Sequence, residues 1–253
     1  MLLVLVAALL SSVTTIDALA QQRPPEIEVG GRLKTFGELL QEHHIELTKP
    51  ALLQALQSPD ADVRYLSAMK LAEDKAIDTI PAVKQALVVE KTPRARVNIA
   101  VALGLLGDAG GHDELKKLCG DETFPPEFRL YAVRYMFDLG VGNDHDCLHA
   151  AEEIVQIVDS ENRTFGDRIT ALALLVRFQN LTQEESQTVL ELAVRRLEDS
   201  EPVVQMEASR AQADLGNRAA IPYLEAAIAR AQDKVVRSVL EANLKKLRKT
   251  GEQ

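Results

Sequence analysis

Three histidines are the residues of this chain best suited to chemistry. His145 and His149 are four positions apart, and two histidines at that spacing share a helix face and can chelate one metal ion. His112 follows Arg96 by sixteen residues, as His145 follows Arg129, so a repeated helix pair would bring His112 alongside. The spacing is therefore compatible with a metal site at His112, His145 and His149, although the sequence contains no HExxH motif.

The two cysteines, Cys119 and Cys147, would be able to form a disulfide in an oxidising compartment. Counted from Arg96 and Arg129, however, they are five residues out of step, which is about 7.5 Å along a helix. Neighbouring helix axes add roughly 8–10 Å, and the total exceeds the reach of a disulfide. The spacing therefore predicts two buried thiols.

Other catalytic motifs are absent from the sequence. It has no nucleophile elbow and no glycine-rich phosphate loop. The net charge is −9 and there is no tryptophan, which argues against the basic, aromatic groove of a nucleic-acid-binding protein. We therefore predict a protein that is not an enzyme, that needs no cofactor and that binds no nucleic acid.

A periodic pattern shows which elements would position these residues. A short motif recurs every 32 to 39 residues, and small or apolar residues follow three and seven positions later, such as Ile99 and Leu103 after Arg96. Offsets of three and seven lie on one face of a helix. The motif ends at Arg64, Arg96, Arg129, Arg168, Gln205 and Arg237.

Stop and start signals divide each repeat into two helices. Glycine is typical just past a helix end, and it occurs at Gly107, Gly140 and Gly216. Pro81 and Pro222 are suited to the first turn of a second helix, where a missing N–H is harmless. Thr182 and Glu185 have the spacing of a capping box. Each repeat is thus predicted to be a helix, a tight turn and a second helix.

The arginine series has two interpretations. It would form a basic ladder for an anionic ligand, or each arginine would bind a carboxylate or carbonyl in the turn of a neighbouring unit. Placement at the same point of every repeat favours the structural interpretation, with Asp74 or Asp108 as candidate partners.

The clearest unit starts at Ser58-Pro59-Asp60 and continues through Arg64 to Leu71. It resembles the HEAT-like repeat family, and the resemblance covers roughly residues 48–247. The resemblance implies an all-α fold, a right-handed superhelix (solenoid) of about five helix pairs behind an N-terminal helical cap. It implies little about function. The paired His-Glu steps of HEAT-type diiron hydroxylases are missing, since no histidine here directly precedes a glutamate.

The predicted domain limits follow from these patterns. Residues 1–20 resemble a signal peptide, with an apolar run over 2–10 and the small-x-small sequence Ala18, Leu19, Ala20. An extended leader is predicted over 21–32, the helical cap over 33–57, the repeat array over 58–247 and a polar tail over 248–253. We expect a periplasmic or secreted protein without stable membrane insertion once the signal is removed; an uncleaved N-terminal anchor is the alternative.

The predicted function is that of an exported interaction scaffold. Stacked helix pairs offer a long concave surface, which we expect the second helices to line and a protein or peptide partner to occupy. The alternatives are a metal-binding protein or enzyme using the three histidines, and a purely structural module of a larger exported assembly. The candidate binding residues on that surface are Lys84, Lys116, Glu152, Gln156, Glu191, Arg195 and Glu225.

Overall fold

A two-stranded hairpin opens the part of the chain that the computed structural model describes, namely residues 27–29, 32–142, 147–156 and 165–250. Strand β1 (Ile27–Val29) pairs antiparallel with β2 (Arg32–Lys34). Strand β1 and the first residue of β2 fall within the extended leader predicted over 21–32, whereas the rest of β2 falls within the range predicted for the helical cap. The residues are extended, and the pairing between them was not foreseen.

Two short helices follow the hairpin. Helix α1 (Phe36–Glu42) starts at a capping box in which Thr35 accepts a hydrogen bond from the Glu38 amide and Glu38 accepts one from the Thr35 amide. Helix α2 (Lys49–Ala55) is capped by Thr48. Helix α1 packs on the first helix of the array and buries Phe36 and Leu40. Both helices lie within the range predicted for the cap, whose limits stay predictions.

Eleven further helices form the array within the described residues. The pairs are α3 (Ala61–Glu73) with α4 (Ile80–Val89), α5 (Pro93–Leu105) with α6 (Ala109–Gly120), α7 (Pro126–Asp138) with α8 (Leu148–Gln156), α9 (Phe165–Leu175) with α10 (Gln183–Arg195), and α11 (Pro202–Leu215) with α12 (Ile221–Arg230). Helix α13 (Lys234–Lys249) closes the stack. The predicted all-α solenoid of five pairs is confirmed. None of the helices in the described ranges is both long and apolar enough to span a membrane.

The predicted helix signals act as expected. The three glycines after first helices all adopt left-handed backbone angles, with φ of +84°, +78° and +66° at Gly107, Gly140 and Gly216. Prolines occupy the first turn of α4 and α12. Thr182 and Glu185 form the capping box of α10. Local sequence therefore fixes where these helices begin and end.

The two layers of helices are packed differently. First helices are buried on most sides, as in α5, where the run from Ile99 to Leu103 is fully enclosed. Second helices are buried along one stripe, as in α12, which buries Leu224 and Ala227. Consecutive first helices contact one another along the stack, and most consecutive second helices have fewer contacts with one another. The second-helix layer therefore leaves open spaces between its members.

Candidate functional site

The repeated arginine connects the two helices of its unit in the first three helix pairs. In the first unit, Nε and Nη2 of Arg64 donate to Glu90 at 2.6 and 2.9 Å, and Nη1 donates to the carbonyls of Ser58 and Pro59 at 2.8 and 3.0 Å. Glu90 directly follows α4, the second helix of the same unit. The guanidinium thus ties the start of its own helix to the end of the second helix.

The same role recurs along the array. Arg96 donates to Glu114 at 2.6 Å, and Arg129 donates to Glu153 at 2.6 Å and to the carbonyl of Cys119 at 3.0 Å. Each of these carboxylates belongs to the second helix of the arginine's own unit. These arginines therefore have the structural role that was predicted, but the prediction was wrong about where the acidic partners lie, because they belong to the arginine's own unit and not to the turn of a neighbouring one.

The suggested partners Asp74 and Asp108 were wrong. Asp74 pairs with Lys70 in the same helix, at 2.5 Å. Asp108 pairs with Lys84, at 2.9 Å, and caps α6. Both aspartates lie in the turn between two helices, whereas the arginines pair with carboxylates farther along the second helix or just after it.

Gln205 replaces the arginine in the fifth unit and keeps part of its role. Its Nε2 donates to the carbonyl of Asp199, six residues earlier, at 2.6 Å. Arg64 and Arg237 make the same bond to the carbonyl six residues before them. The carbonyl contact therefore survives the loss of charge, and the carboxylate contact does not.

A disulfide joins Cys119 and Cys147, whose Cα atoms are 5.2 Å apart. The prediction of two unpaired thiols was wrong, because it counted both residues as helical. More residues separate Arg129 from the start of α8 than separate Arg96 from the start of α6. Cys147 therefore comes before α8 and is not part of it. A helical rise of 1.5 Å per residue does not apply to it. The disulfide fastens the last turn of α6 to the start of α8.

Several grooves lie on the face that the second helices form within the described residues. The α2/α4 groove has a volume of about 550 Å³, the α6/α8 groove about 750 Å³ and the α10/α12 groove about 290 Å³. Another groove, of about 450 Å³, lies at the end of α12 and is also lined by the segment after α10, by α11 and by α13. Three of them have the repeat residue in their walls: Arg64, Arg129 and Gln205. The grooves occupy the spaces that the second-helix layer leaves open.

Some of the predicted binding residues line these grooves. Lys116 lies in the α6/α8 groove, which also contains Lys117 and His149. Glu191 and Arg195 lie in the α10/α12 groove, 3.9 Å from each other. Whether this face is the inner side of the superhelix stays a prediction.

Other predicted binding residues are already engaged or lie elsewhere. Lys84 pairs with Asp108, and Glu225 pairs with Arg248 of α13. Glu152 has only 13% of its side chain exposed, and burial raises its pKa above the usual value. Gln156 belongs to α8, but its side chain lies outside the described residues.

The histidines of the metal hypothesis are only partly described. His149 lies 3.6 Å from Glu152 through Nδ1. His112 lies against Gly104 of the neighbouring helix α5. His145 lies outside the described residues. Among those that are described, no three histidine, cysteine, aspartate or glutamate side chains are grouped as metal ligands.

One surface feature was missed from the sequence. Val88 and Val89 are 81% and 68% exposed at the end of α4, and Val89 lines the α2/α4 groove. The buried face of α4 is formed by Val83, Ala86 and Leu87. In the sequence, this exposed surface was indicated by two valines that do not fall at the helical spacing of the buried residues.

Comparison with known proteins gives one family match. A profile of HEAT repeats matches residues 50–135 and 151–245. No curated protein matches the sequence.

Several solved structures of low sequence identity are similar to this chain. An engineered protein is 22% identical, with a TM-score of 0.42 over 79% of this chain, and this chain spans only 61% of its length. A designed armadillo repeat protein is 19% identical, with a TM-score of 0.47 over 79% of this chain and 100% of its own. Another designed armadillo repeat protein, in complex with the peptide (KR)4, is 18% identical, with a TM-score of 0.46 over 78% of this chain and 98% of its own. Because the repeat profile covers most of its length, the chain belongs to the HEAT repeat family.

Proposed function

We propose that this protein is an exported, non-catalytic interaction scaffold that binds a protein or peptide partner on its second-helix face. The observation that carries the proposal is the set of grooves on this face, three of which lie between α2 and α4, between α6 and α8, and between α10 and α12. Grooves at repeated intervals suit an extended partner, which can place successive side chains in successive units.

The side chains around these grooves support a protein partner. The α10/α12 groove combines Leu190, Glu191, Arg195 and Tyr223, a mixture of apolar, aromatic and oppositely charged groups. Tyrosine and arginine are enriched where proteins bind one another, because each offers a large contact area together with hydrogen-bond donors. A single small ligand would not need such a mixture in several separated grooves.

The disulfide supports the export part of the proposal. Cys119 and Cys147 are both fully buried and bonded to each other. Such bonds persist in oxidising compartments and are rare where thiols are kept reduced. A disulfide inside the array therefore agrees with a protein that folds outside the cytosol.

Site-specific photo-crosslinking tests the proposal. A photoreactive phenylalanine analogue replaces Lys116 or Glu191 on the second-helix face, and Arg134 or Arg210 on exposed positions of first helices serves as the matched control. We expect one discrete adduct in envelope extract from the first two positions and none from the controls. Adducts from the control positions alone would contradict the proposal. Stoichiometric zinc or iron that is lost on His145→Ala would favour the metal-site alternative.

A further inference from the structure

The α2/α4 groove differs from the others in its chemistry. The α6/α8 groove is lined mostly by charged side chains, among them Lys116 and Lys117. The walls of the α2/α4 groove contain a continuous apolar set, namely Leu53, Leu56, Ala82, Ala86 and Val89. Its volume of about 550 Å³ falls in the range of roughly 300–1,000 Å³ found for ligand sites.

Two exposed valines lie at the end of α4, and one of them, Val89, lines this groove. Val88 and Val89 are adjacent and are both mostly exposed, although neither belongs to the stripe of α4 that packs into the core. Contiguous exposed apolar surface with a polar rim is typical of interaction sites. Gln57 and Gln85 supply part of that rim.

The groove also has one uncompensated charge. Its ionisable lining residues are Arg64, Glu90 and Lys91. Glu90 has 1% of its side chain exposed and accepts hydrogen bonds from Arg64 and from the amides of Lys91 and Thr92. Arg64 and Glu90 therefore neutralise each other. The ammonium group of Lys91 is exposed, and no acidic side chain in the described ranges pairs with it.

The apolar walls of the groove and the neighbouring ammonium group of Lys91 indicate the chemistry of the segment that would bind there. We propose that the α2/α4 groove binds an extended segment of the protein partner with a large aliphatic side chain and, two positions away, an aspartate or glutamate. Residues two apart in an extended segment point to the same side, so both side chains reach this surface together. The aliphatic side chain covers Val89, and the carboxylate pairs with Nζ of Lys91. This inference rests on the proposed function, because it assigns one subsite of the same face.

Methyl NMR of the full-length chain with two capped hexapeptides tests the assignment. The probes are GSLSEG and GSLSKG, which differ only in the charge two positions after leucine. We expect GSLSEG to shift the Val88 and Val89 methyl signals and to bind about threefold more tightly, the size of effect that one exposed ion pair gives. Lys91→Glu should reverse the preference. No shift at Val88 and Val89, or equal affinity for both peptides, would overturn the inference.

A pair of matched variants separates the groove from unspecific apolar binding. Val89→Asp should weaken GSLSEG at least tenfold. Val235→Asp alters an equally exposed valine at the other end of the array and should leave the affinity unchanged. Sedimentation velocity without peptide completes the test. If Val89→Asp converts a dimer into a monomer, the occupant is a second copy of the chain and the inference is wrong.

Failure of this inference is distinguishable from failure of the proposed function. If only the subsite assignment is wrong, crosslinking from Glu191 persists and neither peptide prefers the wild-type groove. If the scaffold proposal is wrong, no second-helix position crosslinks to a partner in the wild-type chain.

Discussion

The carboxylate of Glu90 accepts two hydrogen bonds from the guanidinium of Arg64, at 2.6 Å from Nε and 2.9 Å from Nη2. The amides of Lys91 and Thr92 donate to the same carboxylate at 2.9 and 2.8 Å. A nearly inaccessible charge is thereby fully satisfied. It connects the first and second helices of the unit with the turn that leads into α5.

Removing the arginine alone leaves that buried charge without its partner. We expect Arg64→Met to lower the free energy of unfolding by about 3 kcal/mol, because the loss of one member of a buried pair strands the other. Lys84→Met is the matched control, since it removes an exposed lysine that pairs with Asp108 and should cost less than about 1 kcal/mol. Urea denaturation followed by circular dichroism measures both. Equal losses in the two variants would contradict the structural role of Arg64.

The Glu90 carboxylate also predicts a dependence on pH. Burial alone would raise the pKa of Glu90, but hydrogen bonds from Arg64 and Thr92 outweigh that effect and lower it below the usual value. A lowered folded pKa means that the charged form stabilises the fold fully above the unfolded pKa of about 4.3. That contribution is lost as the pH falls through the folded pKa.

Comparison of wild type with Glu90→Gln isolates this contribution. The difference in unfolding free energy should be largest near pH 7 and should shrink below about pH 4. Denaturant titrations at pH 7, 5, 4 and 3.5 follow it. A difference that stays constant over that range would show that Glu90 does not titrate with a lowered pKa.

Packing between units is tested by a charge in the first-helix layer. Leu103 of α5 is fully buried, so Leu103→Asp places an unpaired carboxylate in the apolar interior and should cost about 4 kcal/mol or more. Leu105, on the same helix, is 52% exposed, and Leu105→Asp should change stability by less than about 1 kcal/mol. Thermal melting compares the two. A small effect of Leu103→Asp would mean that the assigned helix face is wrong.

The disulfide makes the stability of the array sensitive to reduction. Cys119 and Cys147 close a loop with a sequence separation of 28, for which chain entropy predicts a stabilisation of about 3.5 kcal/mol. Addition of dithiothreitol should therefore lower the urea midpoint of the wild type. The Cys119→Ser/Cys147→Ser double variant should start lower and show no further response to reductant. If the urea midpoint of the wild type did not change with reductant, or if the thiols could be alkylated before reduction, the two cysteines would not be bonded to each other.

Local signals explain how much of this fold the sequence predicts. The offsets after Arg96 identify the buried face of α5, including Ile99 and Leu103, because a helix returns to the same side at those steps. Gly107 ends that helix in the left-handed conformation that its position predicts. These features depend on the chain within one unit and are visible without knowledge of the neighbours.

Features that depend on how neighbouring helices are arranged in space could not be predicted from local sequence signals. The pairing of Cys119 with Cys147 depends on the late start of α8, which no local motif marks. The partner of Arg64 is Glu90, twenty-six residues away, and the choice follows from the direction of the second helix. The grooves depend on the separation between second helices, so that Val89 is recognisable as a surface residue only once α2 and α4 are in place.

A close backbone contact between α5 and α6 gives a last prediction. A Cβ atom at Gly111 of α6 would lie 2.5 Å from the carbonyl oxygen of Ala100 and 2.5 Å from the amide nitrogen of Gly104, both in α5. These are backbone atoms of a buried helix and are unable to rotate away. Gly111→Ala should therefore force α5 and α6 apart and cost about 1–3 kcal/mol, despite the better helix propensity of alanine.

The matched control is Gly120→Ala at the other end of the same helix, where an added Cβ meets no atom within 4 Å. There the gain in helix propensity is unopposed, so the variant should equal or exceed the wild type in stability. Chemical denaturation measures the free energy of unfolding of both variants. The two substitutions are chemically identical, so a difference between them reports on their surroundings alone. If Gly111→Ala proved as stable as Gly120→Ala, the two helices would not be in the close contact that makes the second unit a rigid pair.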